Sequence, residues 1–196
     1  KSTGTVIPAF CLSEAFEDLD TNRWYHRGVD FVLETGLMQG MSGTLFQPDG
    51  QLTRGQTVTI LYRLAGSPEI ENETPFTDVA ANRFYAKAVA WAYENEIVMG
   101  VTGTTIEPNA SATREQLVTF LARFAKLQGK DVTAEGDLSK FVDSDSVSRY
   151  AVAPMTWAVE NGILVGDEAG RLNPRGYATR AQIATIVMRY CQTIGE

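Results

Sequence analysis

The stretch from residue 76 to residue 126 reads FTDVAANRFYAKAVAWAYENEIVMGVTGTTIEPNASATREQLVTFLARFAK and contains two helical patterns. In the first, apolar residues recur at i, i+3, i+4, i+7 and i+8, which predicts an amphipathic helix. These residues are Tyr85, Ala88, Val89, Ala92 and Tyr93. The second pattern follows the letters TREQ and contains Leu117, Phe120, Leu121 and Phe124. The segment between the two patterns is rich in Gly and Thr and is predicted to be a loop with a short extended piece.

The same stretch occurs three times, at residues 16–66, 76–126 and 141–191, after an N-terminal segment of residues 1–15. Polar linkers separate the copies. A unit of about fifty residues cannot bury both apolar stripes alone, so the copies must pack on one another. We therefore expect an all-α, mainly helical fold with short extended loop segments, in which three repeats form one composite domain.

Composition and charge exclude two classes of partner. The chain of 196 residues has 17 basic and 24 acidic side chains, a formal charge of −7. It contains no block of Lys and Arg, and phosphate neutralisation needs a clustered basic surface, so nucleic acid is not an expected partner. The longest stretch without a charged residue, 35–48, is shorter than the ~18 apolar residues of a membrane helix, so membrane insertion is not expected either.

The beginning of the second helix is the strongest functional signal. Thr53, Thr113 and Thr179 are each followed three residues later by Gln, which predicts a capping box. The residue after each Thr is an arginine: Arg54, Arg114 and Arg180. A cation at this position opposes the positive end of the helix dipole at a cost of about 0.3–1 kcal/mol. An anion held by the guanidinium and by free backbone N–H groups would reverse that sign.

A second interpretation of these arginines is internal pairing, because a recurring acid is available in every copy. The acids are Asp18, Asp78 and Asp143. Both interpretations hold together if the acid orients the guanidinium. A further arginine set near the end of the second helix suits the dipole there and is interpreted as structural. It consists of Arg63, Arg123 and Arg189.

Aromatic residues recur at the entry to the first helix, each directly after an arginine. They are Trp24, Phe84 and Tyr150. An arginine beside an exposed ring is typical of a sugar-binding surface, and a ring in the core is an equally good interpretation. Three loop glycines also recur in register, at Gly40, Gly100 and Gly166.

Catalysis, cofactors and metals are not expected. His26 is the only histidine, and the sequence offers it no evident partner set for a His-based triad or a His-ligated metal. No phosphate-binding Gly-rich loop occurs. Glu34, Glu94 and Glu160 recur, but at predicted helix ends, where a surface glutamate is the ordinary case.

The order F-x-D, aromatic, A-V-x-W-A-x-x-N-G-I-x-x-G, F-x-P and T-R-x-Q resembles the S-layer homology domain, and the resemblance covers residues 16 to 191. It implies a three-lobed helical spindle with pseudo-three-fold symmetry and grooves between repeats. The ITRAE motif of that family matches LTRGQ, ATREQ and ATRAQ here. This implies that Arg54, Arg114 and Arg180 grip an acidic sugar. Gln replaces the usual Glu in all three copies.

The resemblance implies a non-enzymatic, extracellular module of the bacterial cell wall or S-layer. It would bind an anionic, pyruvylated secondary cell-wall polysaccharide without a cofactor, as a monomeric part of a larger surface protein. The alternative is a helical scaffold that binds a protein partner in the same grooves. A closed three-fold arrangement would also bring the segments of Cys11 and Cys191 together, where a disulfide and two free thiols are equally expected.

Overall fold

A computed structural model describes residues 11–194, and this part of the chain is helical. Its six α-helices are α1 (His26–Glu34), α2 (Arg54–Leu64), α3 (Ala86–Glu94), α4 (Arg114–Leu127), α5 (Val152–Glu160) and α6 (Arg180–Thr193). Short 3₁₀ turns cover Leu12–Ala15, Ser144–Ser146 and Arg149–Ala151. Between residues 11 and 194 the only β pairing consists of isolated bridges. The predicted all-α class is confirmed.

The second helix of every repeat begins as its sequence predicts. At α4, the Thr113 side chain accepts a hydrogen bond from the backbone N–H of Gln116, and the Gln116 side chain accepts one from the Thr113 backbone. The capping boxes of α2 and α6 have the same two bonds. These reciprocal bonds define where each helix starts, and therefore where its first arginine lies.

The helices pack between repeats in a closed cycle. Helix α3 of the second repeat packs on α2 of the first, α5 of the third on α4 of the second, and α1 of the first on α6 of the third. The last of these contacts needs a glycine. A Cβ added at Gly28 would lie 2.7 Å from the Cα of Thr185, so α1 can approach α6 this closely only without a side chain there.

The loops before the second helices meet where the repeats join. Single antiparallel bridges pair Gln51 with Thr179, Thr53 with Ser111, and Thr113 with Tyr177. Each loop is also held to the core by one fully buried apolar side chain two residues before its proline. These anchors are Phe46, Ile106 and Leu172. The loops are therefore shared elements of the junctions between repeats.

One continuous hydrophobic core includes side chains from all three repeats. Trp91 and Trp157 are buried in it and Phe31 packs against it, so these rings serve packing. Large buried area of this kind is the main favourable term in folding. Among the helices within residues 11–194, none is long and apolar enough to cross a membrane.

Candidate functional site

The first-turn N–H groups of the second helices are already occupied. At α4, the N–H of Arg114 donates to the carbonyl of Gly176 and that of Glu115 to the carbonyl of Pro174, both at 2.9 Å. Helices α2 and α6 donate in the same way to the loop of the following repeat. The expectation that these groups are free to hold an external anion is therefore wrong. The loop of the neighbouring repeat satisfies them instead, because a buried helix end must find acceptors.

The arginine side chains also reach into the following repeat. The Nε atom of Arg114 donates to the carbonyl oxygen of Leu172 at 2.8 Å, and Arg114 is only 8% exposed. The corresponding bonds are Arg54 to Ile106 at 2.7 Å and Arg180 to Phe46 at 2.7 Å. Each acceptor belongs to the buried residue that anchors the loop. The arginine thus crosses the junction between two repeats.

The recurring aspartates hold the same loop residues from the other side. Asp143 accepts hydrogen bonds from the N–H groups of Leu172 and Asn173, at 2.9 and 2.7 Å. Asp18 and Asp78 accept from the two equivalent N–H groups of their own loops. Asn173 has a φ of 49°, and its equivalents in the other two loops also have positive φ values. A positive φ is unfavourable for a residue other than glycine, so the carboxylate stabilises an unfavourable turn.

Arginine and aspartate therefore act on opposite ends of one residue and do not form an ion pair. For the part of the chain within 11–194, no carboxylate oxygen lies within 4.0 Å of a nitrogen of Arg54, Arg114 or Arg180. Direct Arg–Asp pairing within a repeat is wrong. The carboxylates that act on each guanidinium belong to the next repeat, as Asp167 and Asp143 do for Arg114.

The terminal nitrogens of Arg54 and Arg114 make no hydrogen bond to the part of the chain that the structure describes. Arg54 and Arg114 use only Nε for hydrogen bonds to residues 11–194, whereas Nη2 of Arg180 donates to the Gln39 carbonyl at 2.6 Å. No side-chain nitrogen in that part of the chain is both fully buried and unpaired. The Nη atoms of Arg54 and Arg114 therefore border open space. Burial lowers the pKa of both guanidinium groups, and nearby carboxylates partly oppose that shift.

Each arginine lines a groove assembled from three repeats. We name each groove after the repeat that supplies its loop and second helix; the arginine comes from the preceding repeat and an aromatic ring from the following one. The repeat-1 groove of about 140 Å³ contains Arg180 and Phe84, the repeat-2 groove of about 260 Å³ contains Arg54 and Tyr150, and the repeat-3 groove of about 480 Å³ contains Arg114 and Trp24.

The aromatic rings at the groove edges are exposed. Trp24, Phe84 and Tyr150 are 60%, 64% and 50% exposed, so they are not core residues. Trp24 and Phe84 each contact the buried tyrosine that follows them, edge to face. A ring fixed in this way offers a flat apolar surface beside a cationic group. That combination suits a sugar ring that has an acidic substituent.

The loop glycines are explained by packing. A Cβ at Gly100 would lie 2.8 Å from the Cε1 atom of Phe76, the ring that opens its repeat. Gly40 and Gly166 face Phe16 and Phe141 in the same way. Gly100 and Gly166 also line the repeat-2 and repeat-3 grooves. The absence of side chains thus lets the loop cover a core ring at the groove wall.

The second arginine set also lines the grooves, which the sequence interpretation missed. Arg63 and Arg123 donate through Nη1 to the carbonyls of Leu37 and Ile97, both at 3.0 Å. Arg189 lines the repeat-3 groove and makes no hydrogen bond or ion pair to residues 11–194. The available signal was spacing, since each of these arginines follows the capping Gln by seven residues and so shares its helix face.

Among residues 11–194, one junction contains a buried carboxylate. Glu115 is 4% exposed and accepts hydrogen bonds from the backbone and hydroxyl of Ser148, at 2.9 and 2.7 Å, and from the Tyr150 hydroxyl at 3.2 Å. Burial and the Glu115 charge raise the pKa of Tyr150 to about 12. Gly55 and Ala181 occupy the equivalent positions, so only the repeat-2 groove has its ring oriented in this way.

For the cysteines the structure shows one of the two outcomes that the sequence left open, and for the histidine it shows partners that the sequence did not indicate. Cys11 and Cys191 are free thiols, so a disulfide between them is not formed. His26 does have partners: its Nε2 atom lies 2.9 Å from Sγ of Cys11 and 2.8 Å from Oδ2 of Asp30. The sequence did not indicate this cluster, because Cys11 reaches α1 only through the packing of the turn Leu12–Ala15 on that helix.

These features define a class of helical repeat module with a cationic groove at each junction between repeats. The family model of the S-layer homology domain matches residues 15–58, 75–118 and 140–184. The chain belongs to this family.

Several curated proteins are similar to the chain over nearly all of its length. The surface-layer 125 kDa protein of Lysinibacillus sphaericus is 32% identical over 96% of the chain, which spans 16% of that protein. The S-layer protein of Bacillus thuringiensis subsp. finitimus is 24% identical over 98% of the chain and 23% of its own length. Exoglucanase XynX of Acetivibrio thermocellus is 27% identical over 94% of the chain and 17% of its own length.

The similarity covers less than a quarter of each of these three relatives. The shared part is the S-layer homology region, and the relatives differ in what their names describe. Family membership and the S-layer relatives indicate a location at the bacterial cell surface.

Proposed function

We propose that the chain is a non-enzymatic anchoring module. It attaches a larger surface protein to the bacterial cell wall by binding an anionic, pyruvylated secondary cell-wall polysaccharide in the grooves between its repeats. The observation that carries this proposal lies in the repeat-3 groove. There, Arg114 and Arg189 have terminal guanidinium nitrogens that make no hydrogen bond to residues 11–194, and the exposed ring of Trp24 lines the same groove. A ketal carboxylate can accept hydrogen bonds from the arginines while its sugar stacks on the indole.

The net charge of −7 supports recognition by local contacts. A wall polyanion is repelled by the chain as a whole, and long-range attraction is screened beyond about 8–10 Å at physiological salt. Binding therefore depends on short-range, charge-assisted hydrogen bonds to the guanidinium groups that line the groove. Specificity for the carboxylate and for the sugar shape follows from the same contacts.

The three grooves are not equivalent. The repeat-3 groove is the largest, and both of its main arginines have unpaired terminal nitrogens. In the repeat-1 groove, Arg180 and Arg63 each donate a hydrogen bond from a terminal nitrogen to a backbone carbonyl. The volume of this groove is less than a third of that of the repeat-3 groove. We therefore expect the repeat-3 groove to bind most strongly and the repeat-1 groove least.

Cosedimentation with purified, protein-free cell-wall sacculi tests this function. We expect retention of the chain on untreated sacculi and a loss of retention after chemical removal of the acidic ketals. Retention that is unchanged by ketal removal would contradict the carboxylate mechanism. The absence of retention on either preparation would favour the alternative, a protein partner in the same grooves.

A further inference from the structure

A cluster of three different side chains lies outside the grooves, where the N-terminal turn meets α1. Cys11 immediately precedes the turn Leu12–Ala15, His26 is the first residue of α1, and Asp30 lies one helical turn further on. The turn packs directly on α1. None of the three residues lines a groove, so the proposed glycan site leaves this cluster unexplained.

The three reactive atoms converge on one point. Sγ of Cys11 lies 2.9 Å from Nε2 of His26 and 3.4 Å from Oδ2 of Asp30, and the last two atoms are 2.8 Å apart. His26 and Asp30 are at i and i+4, the spacing at which two ligands on one helix face bind the same metal ion. Cys11 adds the third ligand from a different element.

This geometry differs from that of a catalytic triad. In a triad the carboxylate holds one imidazole nitrogen while the other contacts the nucleophile. Here the same atom, Nε2 of His26, faces both the thiol and the carboxylate. A single ring nitrogen has either one proton or one lone pair, so it cannot serve both partners as a triad requires. A metal ion placed between the three atoms satisfies all of them.

The chemistry of the ligand set selects the metal. Thiolate, imidazole and carboxylate are the three ligand types of zinc sites, whereas Mg²⁺ and Ca²⁺ prefer oxygen alone. Zinc bond lengths of about 2.0–2.3 Å in a tetrahedron place ligand atoms about 3.3–3.6 Å apart. The side chains would open by roughly half an ångström, and the side chains of His26 and Asp30, 27% and 19% exposed, lie partly at the surface.

The carboxylate is also oriented by the turn. Oδ1 of Asp30 accepts a hydrogen bond at 2.8 Å from the backbone N–H of Ser13, which is itself 1% exposed. This leaves Oδ2 directed at the cluster. Hydrogen bonds to a ligand from outside the coordination sphere are a regular feature of protein metal sites, because they hold the ligand in position.

We propose that Cys11, His26 and Asp30 bind one zinc ion, with water in the fourth coordination position. The ion would clip the N-terminal turn to α1. Because α1 packs on α6, the last helix of the cycle, the clip would stabilise the closure of the three repeats. This site is independent of glycan binding.

The test uses the whole chain, apo and reduced with a phosphine, titrated with Co²⁺ and then with Zn²⁺. We expect one equivalent of Co²⁺ to give thiolate-to-cobalt absorption, and Zn²⁺ to remove that absorption by displacement. The variants are Cys11→Ser and Asp30→Asn, and the matched control is Cys191→Ser, which alters the other free thiol. Each site variant should bind more than about tenfold more weakly, and the control should bind as the unaltered chain does.

Helical circular dichroism of each apo variant separates loss of a ligand from loss of folding, and Zn²⁺ should raise the Tm of the unaltered chain and of Cys191→Ser only. If the unaltered chain gives no thiolate-to-cobalt absorption, or Cys11→Ser retains it, the proposal is wrong. A Tm that rises equally with Zn²⁺ in Cys11→Ser would also overturn it.

Discussion

Replacing Arg114 and Arg189 one at a time with methionine separates the two roles of arginine in the repeat-3 groove. Methionine keeps an unbranched apolar stem and removes every hydrogen-bond donor. Arg114 is buried and bonded to the Leu172 carbonyl, whereas Arg189 is half-buried and has no partner among residues 11–194. Arg114 should therefore contribute to both folding and binding, and Arg189 to binding alone.

The expected magnitudes follow from these contacts. A hydrogen bond that involves a charged group contributes about 1.5–3 kcal/mol, so Arg114→Met should lower the free energy of unfolding by about that amount. With a urea m-value of about 2 kcal/mol/M, the midpoint should fall by about 0.7–1.5 M. Arg189→Met should shift it by less than about 0.5 kcal/mol, because the substitution breaks no hydrogen bond or ion pair to residues 11–194 and keeps the apolar stem. Loss of one charged contact to the ligand corresponds to about 10- to 150-fold in Kd.

Urea unfolding followed by circular dichroism measures the change in the free energy of unfolding. Cosedimentation with sacculi at graded protein concentrations measures the change in Kd. The matched control is Arg63→Met, which alters the equivalent residue of the repeat-1 groove. We expect it to weaken binding much less than Arg189→Met, because that groove is small and its arginines are already bonded.

Two results would refute the reasoning. Binding of Arg189→Met at the level of the unaltered chain would mean that the repeat-3 groove does not hold the glycan. A loss of stability in Arg189→Met equal to that in Arg114→Met would mean that Arg189 has a structural role.

Three further predictions concern stability. Gly28→Ala should lower the free energy of unfolding by about 1–3 kcal/mol and the Tm by about 2–12 °C, because the added Cβ meets the α6 backbone. Gly43 has open space around it, so Gly43→Ala should be neutral in the same melting experiment. Glu115→Ala should cost about 1–3 kcal/mol in urea unfolding by leaving the Ser148 N–H unpaired, and an unchanged midpoint would contradict its role at the junction. The pKa of Tyr150 is raised from its ordinary 10.0 to about 12, so its neutral form stabilises the fold below pH 10 and that contribution is lost between about pH 10 and 12. Tyr150→Phe should remove this part of the alkaline loss, and identical pH profiles for the two chains would contradict it.

Much of the fold was predictable because its signals are local. The apolar stripe and the capping box each depend on residues within one or two helical turns. Thr113, Gln116 and their equivalents therefore indicated where the second helices start, and the structure confirms it. The repeat itself showed that the stripes must be buried between copies. The exposure of Trp24, Phe84 and Tyr150 was not predictable, because a ring at a helix entry suits either a core or a surface.

The site was predictable only in part. The sequence singled out Arg114 and its equivalents by their unfavourable position in the helix dipole. It did not indicate that the backbone N–H groups beside them are occupied, since the acceptors lie in another repeat, far away along the chain. For the same reason it assigned Arg189 to the helix dipole, although Arg189 lines the same groove as Arg114.

The sequence by itself determined the three repeats, the helices and their starting points, and the family, because these depend on order and spacing along the chain. Only the tertiary structure decided which repeat supplies each part of a groove, that the Leu172 peptide lies between Arg114 and Asp143, and that Cys11 meets His26 and Asp30. Those contacts join residues from different elements, and they arise from the packing of each repeat on its neighbours.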